Sequence, residues 1–216
     1  MKRFYLACFR DNIGSSVSFQ CHDYKGYSTN VDKAHVCNLG QAQNFYDTAR
    51  EFDQPLCADA VDALTVWKVD HQYIPIDTAL PDSEELFVAY VKGQWDGNDV
   101  YWLNHHACSI NTDFMTATTL TKIEAMRLSD KYIAIPYSVA NKVKRRTFSF
   151  KLFDYKEMVE KAGLVKPPHL KKSNRKKSNP KTRFNCPTCG KLHWQYDPHI
   201  FNGCNDIHCE SYGVAQ

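Results

Sequence analysis

Long apolar runs are missing from this chain of 216 residues. No segment approaches the roughly 18 to 20 consecutive apolar residues that a membrane-spanning helix requires, so the sequence predicts no membrane partner. The apolar stretch 4–9, which follows Lys2 and Arg3, is too short for the hydrophobic region of a secretory signal. We therefore expect a soluble, cytoplasmic protein.

Recognisable catalytic signatures are also missing. The sequence contains no glycine-rich phosphate loop, no nucleophile elbow and no paired acid motif. These absences leave an enzymatic activity without support, although they do not exclude one. Binding is therefore a better expectation than catalysis.

Acidic residues are missing from the segment 166–183, which holds eight Lys and Arg. Removing these eight from the 27 basic residues leaves 19 basic residues against 24 acidic ones in the rest of the chain. The segment also lacks Phe, Tyr and Trp, so it cannot bury enough apolar surface to offset its ordering entropy. We predict a flexible basic linker over 164–183, which either solubilises the chain or binds a polyanion.

Nucleic acid, as RNA, DNA or a ribonucleoprotein, is the polyanion that such a linker is expected to bind. The residues predicted to make these contacts are Lys171, Lys172, Arg175, Lys176, Lys177, Lys181 and Arg183. A second basic run, Lys142-Val-Lys-Arg-Arg146, is expected to add exposed positive charge.

The nine cysteines fall into two groups. Those of the first group are scattered, and without an export signal we expect them to be reduced, small hydrophobic residues. They are Cys8, Cys21, Cys37, Cys57 and Cys108. Those of the second group are clustered, which in a cytoplasmic protein favours metal binding.

The clustered cysteines have the spacing Cys186-x2-Cys189 and Cys204-x4-Cys209. Gly190 lets the backbone fold back after the first pair and point its amides at the sulfur atoms. Four thiolates would form a closed, structural Zn²⁺ site. The module 184–216 is too small to fold on a hydrophobic core alone, so a metal would stabilise it. The alternatives are a histidine ligand, from His193, His199 or His208, or a redox use of the first pair.

The Cys186-Pro-Thr-Cys189-Gly turn resembles the knuckle of zinc ribbons. A typical ribbon has two residues between the cysteines of both pairs, and the four residues in the second pair depart from that pattern. The resemblance implies a module that docks on nucleic acid, RNA polymerase or the ribosome. The aromatic side chains available for base stacking are Phe184, His193, Trp194, Tyr196 and Phe201.

The part before the linker contains two segments with a similar pattern. Each has two strands, then a Ser-x-Asn-x-Asp sequence at 28–32 or 109–113, then a helix start at Leu39 or Leu120. The offset between the copies is 82 at the first strand and 81 later. The first helix is predicted over 39–52 with Asn38 as its N-cap. A strand is predicted over 147–153.

These patterns predict an α+β protein with two duplicated small α/β lobes, a basic flexible linker and a C-terminal zinc ribbon or knuckle. The predicted domains are lobe 1 at 1–80, lobe 2 at 84–163, the linker at 164–183 and the zinc-binding module at 184–216.

The stretch Gly26-Tyr-Ser-Thr-Asn-Val-Asp-Lys-Ala34, which precedes the first helix, is similar to one in short proteins of tailed bacteriophages. This resemblance implies an accessory protein that acts in the host cytoplasm. Together, the observations predict a non-enzymatic factor that binds nucleic acid or nucleoprotein and acts on host transcription or translation. One alternative is a protein-only inhibitor or adaptor of a host or defence enzyme. Another is a nucleic-acid-processing enzyme that uses Asp32 or Asp113.

Overall fold

The computed structural model describes residues 2–105, 109–171, 181–196 and 201–213. The chain divides into two compact units, 1–171 and 172–216. The architecture is a mixed α/β one, as the sequence predicts. Among the described residues, every helix falls short of the length and apolar character needed to cross a bilayer.

The first half of the N-terminal unit, residues 2–74, contains six strands and two helices. They are β1 (Phe4–Ile13), β2 (Ser16–Gln20), β3 (Tyr27–Ser28), β4 (Val36–Cys37), α1 (Leu39–Thr48), β5 (Asp53–Cys57), α2 (Ala58–Asp62) and β6 (Val66–Lys68). Short 3₁₀ turns lie at His22–Tyr24, Val31–Lys33 and His71–Tyr73.

The second half, residues 87–153, has almost the same order of elements. They are β7 (Phe87–Asp96), β8 (Asp99–Asn104), β9 (Ser109–Asn111), α3 (Lys122–Met126), β10 (Tyr132–Pro136), α4 (Tyr137–Val143) and β11 (Arg145–Thr147). Its 3₁₀ turns lie at Phe114–Thr116 and Phe150–Leu152. A π-helical turn at Lys156–Glu160 and a 3₁₀ turn at Pro168–Leu170 follow, and the C-terminal unit contains β12 (Thr182–Asn185) and β13 (Leu192–Gln195).

Each half contains an antiparallel sheet with the same layout. In the first half the order is β3-β2-β1-β4, and β5 also pairs with β1. In the second half the order is β10-β7-β8-β9, and an isolated bridge from Phe87 to Leu120 stands where β1 pairs with β4. The register also repeats, because Phe19 pairs with Ser28 and Trp102 pairs with Asn111.

Hydrogen bonds between the halves repeat as well. Val17 N donates to Phe148 O at 2.9 Å, and Val100 N donates to Val69 O at 3.1 Å. The matching pairs show that equivalent positions differ by 83 residues before the main helix of each half and by 79 after it. The Ser-x-Asn-x-Asp match is therefore out of register by two residues: Asn30 is equivalent to Asp113, not to Asn111.

The helix caps agree with this offset, since the N-caps Asn38 and Thr121 are 83 residues apart. Asn38 and Thr121 each form a capping box, with Gln41 and Glu124 respectively. The predicted cap at Asn38 is confirmed. The helix predicted over 39–52 ends at Thr48, and the chain turns over residues 49–52 to bring 53–57 alongside β1.

The two halves exchange segments. Val69 and Ile74 belong to the first half but fill the core of the second. Phe148 and Phe153, at the equivalent positions, pack into the core of the first half. The strand predicted over 147–153 accordingly ends at Thr147, and the chain then turns so that Phe148 is buried and Phe153 packs against the same core. The predicted boundary between lobe 1 (1–80) and lobe 2 (84–163) would therefore separate Phe148 from the core that it fills.

The exchange is held by a short antiparallel ladder in which β6 pairs with β11, with Trp67 opposite Arg146 at its centre. Chain beyond the ladder continues to pack on the first half, since Leu164 is buried there and Leu170 contacts it. Residues 164–171 of the predicted linker are therefore part of the N-terminal unit.

Two glycines meet where the halves cross. A Cβ on Gly97 would lie 2.5 Å from Gly14 N, and a Cβ on Gly14 would lie 2.4 Å from Gly97 N. Both residues have positive φ, 56° at Gly14 and 66° at Gly97. Only glycine fits this approach, because backbone atoms occupy the space that a side chain would need.

Replacing Gly97 with alanine should destabilise the N-terminal unit strongly. The substitution adds left-handed strain and a clash with the Gly14 backbone, so we expect a loss of about 3 kcal/mol. Gly93→Ala is the matched control, since its φ is 71° but no atom lies within 4 Å of the added Cβ. Urea unfolding should give a loss of about 1 kcal/mol for the control. Equal losses for the two variants would contradict the close approach.

Buried charges lie beside the ladder. Asp99, with no exposed side-chain surface, accepts a hydrogen bond from Arg145 Nη2 at 2.6 Å and one from Ser16 Oγ at 3.1 Å. Lys68 Nζ lies 3.6 Å from the same carboxylate and 2.9 Å from Asp96. Burial raises the pKa of Asp99, although the charges of Arg145 and Lys68 act in the opposite direction.

Removing the Asp99 charge should leave Lys68 and Arg145 buried without full compensation. We expect Asp99→Asn to destabilise the N-terminal unit by about 3–5 kcal/mol. Asp82→Asn removes an exposed carboxylate that pairs with Lys122, and it should leave the urea midpoint unchanged. A midpoint for Asp99→Asn equal to that of the unchanged protein would show that the network does not hold the halves together.

Candidate metal centre and basic aromatic face

The four clustered cysteines come together in the C-terminal unit. Their Sγ atoms all lie within 4.8 Å of one another. Cys186 and Cys209 are 3.7 Å apart, and Cys189 and Cys204 are 3.6 Å apart. Both distances exceed a disulfide bond, and they are close to the roughly 3.8 Å edge of a tetrahedron with metal–sulfur bonds of about 2.3 Å. The cluster could hold a metal ion, and it is compatible with a zinc-ribbon-like module.

Two tight turns present the sulfur atoms. Gly190, at a φ of 71°, donates its amide to Cys186 O at 2.9 Å and closes the first turn. In the second turn, Cys209 N donates to Asp206 O at 3.0 Å and Asp206 N points at Cys204 Sγ at 3.4 Å. The four residues between Cys204 and Cys209 therefore form a turn of their own, so the longer spacing still brings both sulfur atoms to the cluster.

The electrostatics favour thiolate at one corner. Burial acts to raise the pKa of Cys186, but hydrogen bonds from the backbone at Cys189 and Thr188 lower it to about 6. At Cys209 a backbone hydrogen bond from Ser211 lowers the pKa, but burial and the neighbouring sulfur atoms raise it to about 12. Four thiolates this close repel one another, so a bound cation would be needed to hold them all deprotonated.

Aromatic rings pack beneath the cysteines. The Phe184 ring lies 5.7 Å from that of Phe201 and 6.2 Å from that of His193. Phe201 and His193 are buried, and Phe201 shares a small cluster with Cys186, Cys204 and Cys209. These three rings therefore pack against one another and against the cysteine cluster. His193 and His208 are absent from the cluster among the described residues, and His199 lies outside those residues.

The opposite face of the hairpin is exposed. Along β13, His193 and Gln195 point inward, while Leu192 and Trp194 point to solvent. Trp194 is 49% exposed and Tyr196 is 67% exposed. Arg183 pairs directly with Trp194 across the hairpin, and the Lys181 ammonium lies 5.1 Å above the Tyr196 ring. Lys181, Arg183, Trp194 and Tyr196 form what we call the basic aromatic face.

The other basic residues predicted to contact nucleic acid do not lie on this face in the described structure. Lys171 is exposed at the end of the N-terminal unit, whereas Lys172, Arg175, Lys176 and Lys177 lie outside the described residues. The segment 142–146 is predicted to add exposed positive charge, but its two arginines are paired with carboxylates. Arg145 binds Asp99, and Arg146 binds Asp32 and Asp62. Their partners are remote in sequence, so no local pattern could have revealed these pairs.

The carboxylates considered for catalysis have structural partners. Asp32 binds Arg146 at 2.9 Å, and the Asp113 side chain accepts a hydrogen bond from Met115 N at 3.0 Å at the start of a 3₁₀ turn. Among the scattered cysteines, Cys8, Cys21, Cys37 and Cys57 are free thiols, and Cys108 lies outside the described residues.

Comparison with protein-family models, with curated proteins and with solved structures finds no match to this chain. The resemblance to proteins of tailed bacteriophages stays a prediction. Function must therefore be argued from the geometry of the chain itself.

Loss of the bound metal should unfold the C-terminal unit alone. Its buried cluster consists of three cysteines and Phe201, so little apolar packing would remain. We expect a strong chelator, or Cys204→Ser, to move the Trp194 indole N–H signal in an NMR spectrum to its unfolded position. The signals of Trp67, Trp95 and Trp102 should stay in place.

Cys57→Ser is the control, because Cys57 is a half-buried thiol outside the cluster. It should leave all four indole signals and the metal content, about one ion per chain, unchanged. An unshifted Trp194 signal in metal-free protein would contradict a metal-dependent fold.

Proposed function

We propose that this protein is a non-enzymatic accessory factor that binds nucleic acid or nucleoprotein through its C-terminal unit. The observation that supports this most directly is the basic aromatic face, where the exposed Trp194 ring of β13 and the exposed Tyr196 ring just after β13 lie beside two cations. Large aromatic side chains exposed beside Lys and Arg are costly for solubility and are typical of surfaces that bind single-stranded nucleic acid.

The proposal includes Zn²⁺ as the ion at the cysteine cluster, with Cys186, Cys189, Cys204 and Cys209 as its ligands. Soft thiolate ligands in a tetrahedral arrangement favour zinc, and four protein ligands leave no open position for a substrate. The ion would therefore be structural. Its contribution to function is to fix the hairpin that carries the basic aromatic face.

The face suits unpaired bases. Tyr196 follows the end of β13 directly, and two residues of extended chain span about 7 Å, so Trp194 and Tyr196 would have room for one base each. Arg183 and Lys181 lie close enough to these rings to contact the phosphates of the same strand. Stacking tolerates any base, so we expect weak sequence preference.

The basic segment 166–183 leads directly into the hairpin. Neutralisation of phosphates by Lys and Arg releases counterions, so affinity should fall steeply as salt rises. In this proposal the segment supplies most of the long-range attraction, and the basic aromatic face supplies the short-range contacts.

We also propose that the two halves of the N-terminal unit arose by duplication. The repeated order of elements, the repeated sheet register and the paired hydrogen bonds between the halves all support this. The duplicated unit would then be a rigid body that recognises a protein component of the target.

Two double variants separate stacking from charge. Trp194→Ala with Tyr196→Ala should weaken binding of a single-stranded oligonucleotide by about tenfold to a hundredfold. Lys181→Ala with Arg183→Ala should weaken binding and also reduce the slope of log affinity against log salt by about 1.5. Fluorescence anisotropy at several salt concentrations measures both effects.

Matched controls exist for each change. In the N-terminal unit, the Lys131 ammonium also lies over a tyrosine ring, 5.7 Å from the centre of Tyr132. In the C-terminal unit, Tyr212 is 52% exposed but lies outside the hairpin strands. Lys131→Ala and Tyr212→Ala should bind as the unchanged protein does. Binding that is absent, or equal in all variants, would refute the proposal and favour a protein-only inhibitor or adaptor.

A further inference from the structure

A polar cleft lies between the halves of the N-terminal unit, far in sequence from the basic aromatic face. Its volume is about 300 Å³, and residues of both halves line it. We call it the first cleft, and it is defined by Tyr27, Lys33, Tyr73, Lys144 and Arg145.

The lining of the first cleft has three cationic side chains, Lys33, Lys144 and Arg145, and one carboxylate. Within the described residues, neither Lys33 nor Lys144 forms an ion pair, and the Lys144 ammonium is held 4.9 Å above the Trp67 ring. The cleft has one carboxylate, Asp70, and it already accepts hydrogen bonds from Gln72 N at 2.9 Å and Asn98 Nδ2 at 3.3 Å. An anion entering the cleft would therefore meet two lysines, Lys33 and Lys144, that have no carboxylate partner among the described residues.

Arg145 forms a fixed wall of the first cleft. Its Nη2 donates to the buried Asp99 at 2.6 Å, and its Nε donates to Thr29 Oγ1 at 3.3 Å. Held on two sides, the guanidinium loses little freedom when a ligand arrives, which favours binding.

Two tyrosines line the same cleft. Tyr27 is 45% exposed and Tyr73 is 66% exposed. Their rings offer apolar faces beside the cations, a combination that suits a planar aromatic ring attached to a phosphate.

A second cleft of about 340 Å³ occupies the equivalent place on the other side of the ladder. There Ile110 takes the position of Tyr27, Leu152 that of Tyr73 and Val66 that of Arg145. The positions equivalent to Lys33 and Lys144 are Thr116 and Thr65. Since the same backbone accepts aliphatic and hydroxyl side chains at these positions, the fold does not require Tyr27, Tyr73, Lys33 or Lys144. Arg145 differs, because it also pairs with the buried Asp99.

We propose that the first cleft binds a nucleotide, either free or as one unit of a nucleic-acid strand. Lys33 and Lys144 contact its phosphate, and Tyr27 or Tyr73 packs against its base. This site shares no residue with the basic aromatic face, so either site could bind its ligand if the other did not.

The test uses the full chain and isothermal titration calorimetry with AMP as the probe. Lys33→Thr with Tyr73→Leu places in the first cleft the residues found at the equivalent positions of the second half, which the backbone is known to accept. We expect this double variant to bind AMP about tenfold more weakly or not at all. Lys151→Thr, which removes an exposed charge from the second cleft, should bind AMP within about twofold of the unchanged chain.

A second arm separates the two sources of the nucleotide. A single-stranded oligonucleotide is titrated into the chain that carries Trp194→Ala and Tyr196→Ala, with and without the first-cleft changes. Cleft-dependent binding of AMP supports a free nucleotide, and cleft-dependent binding of the oligonucleotide alone supports a strand. If neither probe binds, or if both bind equally with and without the cleft changes, the proposal is overturned.

Discussion

The ladder that pairs β6 with β11 is the constraint on which the N-terminal unit depends. Each of these strands carries the chain from its own half into the core of the other, where Val69 and Phe148 are fully buried. The core of each half is therefore incomplete without the segment that the other half contributes. The close approach of Gly14 and Gly97 lies beside the same crossing, since the neighbouring Ser15 and Asp96 both contact Lys68 of β6.

The crossing also explains where the charges are buried. Lys68 and Arg145 face one another in the ladder, and their like charges would repel in a dry interface. Asp99 lies between them and compensates both, with one further hydrogen bond from Ser16 Oγ. The equivalent pair, Val66 and Thr147, is uncharged, so the two sides of the ladder differ in polarity. This asymmetry gives the two clefts different chemistry on a shared backbone.

The sequence predicts the local features well. Asn38 caps its helix, and the four clustered cysteines converge. It could not predict the exchange of segments, because the pattern of a strand does not reveal which sheet or core it joins. The ion pairs of Arg145 and Arg146 were missed for the same reason, since their carboxylate partners lie 46 to 114 residues away.

The two units achieve stability by different means, and this bears on where binding surfaces can exist. In the N-terminal unit most large rings are needed for the cores, as with Trp102, Phe4 and Phe148, so only cleft and rim positions are left for ligands. In the C-terminal unit a metal would replace most of the core, and Phe184, His193 and Phe201 suffice for the rest. Trp194 and Tyr196 are left exposed beside Arg183 and Lys181, and the proposed binding role would account for this exposure.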